Sequence, residues 1–186
     1  MNLPDPHSEP TDSPAPAPNT DRNATGSPWK WPIIAGLVFA GIRFSIGAVF
    51  ALMAETGRND PSMRGVADLV WIMSATAAGT AGLIGVGGFW LLRHKLPTPA
   101  QGSLIGLTAA LSSYVGIGLV AGILMTLQDD PERRTVVNAA IDSLFCGIGS
   151  ALITGSTVLP ALCIAGLVVA KLQRAAFSPN LNNMAP

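Results

Sequence analysis

Arg43 is the residue of this chain whose position raises a chemical question. It stands inside an apolar stretch, Trp31–Ala54, twelve residues beyond Trp31. If that stretch is a helix, Arg43 lies roughly 18 Å from its start, near the centre of a bilayer. An arginine there costs at least about 2.5 kcal/mol unless something satisfies it. The polar residues at the same depth in the other apolar stretches are hydroxyls. Counting from helix ends on the same side reaches Thr80 with Thr76, Ser113 with Ser112 and Tyr114, and Val158 beside Ser156 and Thr157. The expectation is a polar layer of Arg43, Thr76, Thr80, Ser112, Ser113, Tyr114, Ser156 and Thr157, with Arg43 facing inward. Asp142 is the obvious counter-charge, but the same count sets it more than roughly 20 Å from Arg43's level. Arg43 has three readings. It snorkels or is satisfied by hydroxyls and kink carbonyls, it attracts an anion, or it pairs with an acidic residue of a partner's membrane helix.

Other reactive types are sparse. The two histidines are His7, near the start, and His94, in a basic connection. Neither lies in an apolar stretch to serve as a base for Ser or Thr, and two distant histidines do not make a zinc or haem site. Cys146 and Cys163 are 17 residues apart in one stretch, roughly 25 Å on a helix and too far for a disulfide; they are expected to be buried reduced thiols. Asp129, Asp130 and Glu132 cluster around Pro131 and are expected to be a solvated turn, with weak divalent-cation binding as the alternative. HExxH, P-loop, Rossmann and GxSxG patterns are missing. No catalytic residue, cofactor or metal site is expected, and the chain is read as a non-enzyme.

Composition agrees. The chain has 186 residues, 49% hydrophobic and 12% charged, with 11 basic and 11 acidic side chains. Soluble domains carry about 25% charged residues. A water-soluble enzyme, a disordered chain and a nucleic-acid binder are therefore excluded. A multi-pass transmembrane protein remains.

The elements that must position Arg43 are four apolar stretches, 31–54, 66–92, 101–127 and 136–170. Each exceeds the ~20 residues that span a bilayer. The last would measure roughly 52 Å as one helix, so its membrane part is placed at 144–170, with Asn138 and Asp142 among headgroups. Pro160 inside it removes the hydrogen bond to the Ser156 carbonyl and should kink the helix, with Thr154, Ser156 and Thr157 near enough to re-satisfy that group. The connections are short, and an up-down-up-down bundle of four transmembrane helices follows, occupying 31–174. Before it, residues 1–30 hold seven prolines and read as a disordered tail, not a signal peptide. An Asn23-Ala24-Thr25 glycosylation pattern falls in that tail. A short tail, 175–186, ends the chain.

Helices in lipid associate by close packing of small residues. Ala139, Ser143, Gly147, Ala151 and Gly155 form such a stripe at four-residue spacing, and Ser143, Gly147, Ala151 and Gly155 are expected to be a helix-packing face. Shorter pairs are Gly36/Ala40, Gly41/Ser45, Ala78/Gly82, Ala81/Gly85 and Gly102/Gly106. Trp29, Trp31 and Trp90 fall at one membrane surface and Trp71 near the other, as interfacial belts do. With the N-terminus inside, six basic residues (Arg22, Lys30, Arg93, Lys95, Lys171, Arg174) are cytoplasmic and four (Arg58, Arg64, Arg133, Arg134) are outside. Both termini are therefore expected in the cytoplasm, with the chain in the plasma (inner) cell membrane. Two functions fit. One is a non-catalytic accessory, assembly or interaction component whose partner, beyond the lipid bilayer, is itself or another membrane protein. The other is a small oligomeric transporter or conduit with its polar site around Arg43. The first is preferred, because no Asp or Glu lies deep in a span to couple to protons or cations.

Overall fold

The computed structural model describes residues 29–56, 64–93, 95–128 and 135–177. They form four helices: α1 (Lys30–Thr56), α2 (Arg64–Leu91), α3 (Pro99–Gln128) and α4 (Val136–Phe177). All four are long and apolar enough to cross a membrane. The Pro-rich tail, the glycosylation pattern, His94, the Asp129–Glu132 cluster and the last nine residues lie outside the described residues.

The bundle is built from two antiparallel hairpins. The closest packing is α1 on α2 and α3 on α4; α2 and α3 join the hairpins, and α1 meets α4 more sparsely. The interior is made of small and aromatic side chains. Ala35, Phe39, Ala77, Ala81, Phe89, Ala109 and Ala110 are fully buried. Val158 and Leu162 of α4 are buried with them, but most branched aliphatics point outward, with Leu37 70%, Leu83 75% and Leu152 80% exposed. This distribution is the one a lipid solvent selects: leucine loses nothing by facing acyl chains, whereas alanine and glycine inside let backbones approach.

Glycines mark the closest approaches. A Cβ on Gly102 or Gly106 would collide with the carbonyls of Gly166 and Leu162, and one on Gly166 with the carbonyl of Gly102. In the other hairpin, a Cβ on Gly82 would sit 3.1 Å from the Ala40 Cβ and 3.3 Å from the Gly36 carbonyl oxygen. Gly36 and Ala40 thus face Gly82. Gly41 and Ser45 do not join them: both are exposed, Gly41 has nothing within 4 Å of a would-be Cβ, and Ser45 donates to the Gly41 carbonyl.

Two elements differ from expectation. First, α4 is one helix of 42 residues, roughly 63 Å long, running through Pro160 and past Ala170. Lys171 and Arg174 extend it because these types are good helix formers and their stems reach the headgroups, while Gln173 between them turns into the bundle and is 3% exposed. Second, Cys146 and Cys163 are free but only half-buried.

The ends match the tryptophan belts. Trp29 stacks on Trp90 at 6.3 Å, and the Arg93 guanidinium lies 4.1 Å over the Trp90 ring. At the opposite end, Trp71 Nε1 donates to Glu55 Oε1 at 2.9 Å and its ring meets Phe44 at 6.0 Å. The start of α1 is therefore level with the end of α2, and the end of α1 with the start of α2, as antiparallel neighbours require.

Candidate functional site: the Arg43 layer and the α3–α4 face

Arg43 is the middle residue of α1 and is 2% exposed. It faces inward because Ala35, Phe39, Gly47 and Ala51, at helical spacing on either side of it, form the buried face of α1. Its Nε donates to Ser113 Oγ on α3 at 3.1 Å. Ser113 is itself fully buried, and its hydroxyl donates onward to the Ala110 carbonyl at 2.7 Å. The guanidinium lies 5.2 Å from the centre of the Tyr114 ring, a cation–π contact worth up to about 2 kcal/mol when desolvated. Two neighbours on α3 thus take different parts of the same cation.

Tyr114 carries the layer to α4. Its hydroxyl is 3.1 Å from Thr154 Oγ1. Thr154 donates its own proton to the Ser150 carbonyl at 2.9 Å, so the Tyr114 hydroxyl is the donor between them. The layer therefore runs α1–α3–α4 through Arg43, Ser113, Tyr114 and Thr154. Among the described residues no carboxylate pairs with Arg43.

The other expected members lie elsewhere. Thr76 and Thr80 are half-buried on α2 and return their hydroxyl protons to the carbonyls of Ile72 and Thr76. Thr80 Oγ1 packs toward α3, where it would meet a Cβ on Gly116 at 2.6 Å. Ser112 is half-buried, beside but not within the layer. Ser156 and Thr157 are exposed on the outer side of α4. At 100° per residue, the turn that points Thr154, Gly155 and Val158 inward points these two out. Thr154, missed as a layer member in the sequence, takes their place. Its hydroxyl serves Ser150 and Tyr114, not the carbonyl freed by Pro160.

The depth count also needs correcting in α4. It pairs Arg43 with Val158, but the α4 residues that share a cavity with Arg43 are Ser150, Ile153 and Thr154. Near the start of α3 the expected alignment holds, with Gly102 against Gly166 and Ala170. Further along, α4 spends the residues from Leu162 to Ser143 where α3 spends only those from Gly106 to Gly118. Helix levels counted from one end drift accordingly. Asp142 is then eight residues from Ser150, roughly 12 Å, still without contact to Arg43.

A cavity of about 180 Å³ adjoins the guanidinium. Its wall holds Arg43 and Gly47 of α1, Ser74 of α2, Ile117 of α3, and Ser150 and Thr154 of α4. Every helix contributes. The cavity extends from Arg43 toward the end of the bundle where α1 stops and α2 begins. On the other side of Arg43 the interior is filled by Phe39, Phe89, Ala110 and Leu162.

The second feature is the stripe on α4. A Cβ on Gly147 would lie 3.2 Å from the Tyr114 carbonyl oxygen, and one on Gly118 or Gly122 would collide with the Ser143 carbonyl or hydroxyl. Ser143 and Gly147 thus lie against α3, Gly155 is buried where an added Cβ would lie 3.8 Å from the Tyr114 hydroxyl, and Ala151 is half-buried. On the outer side of this contact lies a groove of about 440 Å³, floored by Ala140, Gly147 and Ala151 and walled by Leu111, Val115 and Ile148. Comparison of the chain with family models, with curated proteins and with solved structures gives no match.

Proposed function

We propose that this small multi-pass membrane protein is a non-catalytic interaction component, working by contact with a helix of a second membrane chain. The observation that supports this reading is the α3–α4 groove. Its floor is made of small residues and its walls of exposed leucine, valine and isoleucine, with Leu144 62% and Leu119 55% exposed. Small residues flanked by branched ones are what a neighbouring helix needs for close backbone approach in lipid. The conduit reading is weaker, because the cavity, walled by Phe50, Val70, Met73, Ile117 and Ile153 as well as by its polar groups, does not continue past Arg43 through the packed interior. The proposal places the chain in the plasma (inner) membrane with both termini cytoplasmic, on the basic-residue bias.

The test is the size of the particle extracted from native membranes in mild detergent. The wild-type chain is expected in a complex larger than its own 19.1 kDa. Ala140→Leu, at an exposed position of the groove, and Ala151→Leu should release the 19.1 kDa chain, because the added bulk keeps a neighbouring backbone away, while Ile148→Leu should leave the complex intact. A monomeric wild-type particle, or equal complexes for all variants, overturns the reading. Solute flux through vesicles holding the purified chain alone would favour the conduit.

A further inference from the structure

We propose that the Arg43 cavity binds a small oxyanion that carries its own O–H or N–H: a phosphomonoester or dihydrogen phosphate, or a hydroxy- or amino-carboxylate. This goes beyond the interaction reading and does not depend on it. Arg43 uses Nε on Ser113, and among the described residues no acceptor takes its remaining N–H groups. A guanidinium presents those groups as a planar fork suited to two oxygens of one anion. The cavity they adjoin, about 180 Å³, has the bulk volume of roughly six waters, enough for a phosphate or a three-carbon acid.

The hydroxyls set the rest of the specificity. Ser74 donates to the Val70 carbonyl and Thr154 to the Ser150 carbonyl. Both are spent as donors, and Thr154 already accepts from Tyr114, so the Ser74 oxygen is the acceptor left for a ligand. Ser150 also lines the cavity, and among the described residues its hydroxyl has no partner. A bare anion satisfies Arg43 and Ser150 but faces the lone pairs of Ser74. An acid with its own donor satisfies all three.

The rim shows where such a ligand enters. The exposed side chains on it are Phe50 of α1 and Ile153 of α4, and α1 and α4 are the neighbours that touch least. The opening is therefore lateral. Phe50 is seven residues from Arg43, roughly 10 Å, which puts the rim within about 5 Å of the hydrocarbon boundary if Arg43 is at the midplane. Local bilayer thinning and a water defect around an intramembrane arginine bring a phosphate to that level, either as the free anion or on the headgroup of an anionic lipid.

Thermal unfolding of the full chain in neutral detergent tests this with inorganic phosphate, sulfate, hydroxyacetate, acetate and chloride at matched ionic strength. Phosphate and hydroxyacetate are expected to raise the wild-type Tm by at least about 2 °C at saturation, and sulfate, acetate and chloride by less. Arg43→Gln should abolish the shift and Arg43→Lys should shrink it, since an ammonium keeps the charge but loses the fork. Ser74→Ala should narrow the gap between hydroxyacetate and acetate. Native mass spectrometry with phosphatidate and phosphatidylcholine separates the sources: a phosphatidate adduct displaced by free phosphate and lost in Arg43→Gln assigns the lipid. No adduct together with a phosphate shift assigns the free anion. The proposal is overturned if no probe shifts the wild type, or if the shifts persist in Arg43→Gln. If Arg43→Gln does not fold, Arg43→Lys and Ser74→Ala carry the test, and unchanged shifts in both overturn it.

Discussion

Replacing Gly106 by alanine adds one methyl where α3 crosses α4. That methyl would collide with the Leu162 carbonyl and lie 3.0 Å from the Cys163 Cα. Backbone atoms cannot rotate away, so α4 must withdraw by about 1 Å or more to restore an ordinary C···O contact of roughly 3.3–3.6 Å. A gap of that order forfeits a quarter to a half of the dispersion well at each contact, each worth ~0.1–0.2 kcal/mol. Over roughly forty contacts of this kind the loss is about 1–4 kcal/mol, overlapping the ~1–3 kcal/mol typical of overpacked cores. The controls are Gly79→Ala and Gly149→Ala, where a Cβ meets nothing within 4 Å. In a helix interior they should be neutral or stabilising by up to about 1 kcal/mol, because alanine restricts the unfolded backbone. Helix content followed through a detergent–SDS titration measures all three. Gly106→Ala should unfold at lower SDS than the wild type and the two controls at equal or higher SDS. A Gly106→Ala chain as stable as Gly149→Ala would refute the view that the α3–α4 contact is limited by backbone approach.

Tyr114→Phe removes the donor to Thr154 but leaves the ring beneath Arg43, so it should cost about 0.5–1.5 kcal/mol in the same titration, whereas Tyr114→Leu should cost more by also removing the cation–π face. Trp71→Phe breaks the hydrogen bond to Glu55 while keeping an aromatic partner for Phe44; a loss of about 1 kcal/mol is expected, along with faster amide exchange at the start of α2. Reporter fusions after residues 20 and 180 should both give cytoplasmic signals, and signals on opposite sides would mean an odd number of crossings.

Hydropathy and length alone determined that four segments cross the bilayer, because a span must satisfy its backbone within itself and bury about 20 apolar residues. Those are local properties of each stretch. The same holds for the matching of tryptophans at the two surfaces; of the two small pairs on α1, only the rotation of the helix decided that Gly36/Ala40 packs on α2 and Gly41/Ser45 does not. Arg43 was legible as an anomaly, and counting from the ends named Ser113 and Tyr114 as residues at its depth. Rotation and path were not legible. Ser156 and Thr157 lie at a plausible depth but on the outer face of α4, while Thr154, two and three positions earlier, points in; a depth count carries no information on the azimuth of a helix that is apolar on every side. Gly166 gives as close a contact as any residue of the stripe, yet it falls outside the four-residue spacing that ends at Gly155, because α4 turns a different set of residues toward α3 beyond that point. The cavity beside Arg43 is the clearest case. Its walls come from four helices, and it exists because α1 and α4 stay apart where the two hairpins meet. That separation is a property of how the hairpins pack against each other, and no single stretch of sequence encodes it.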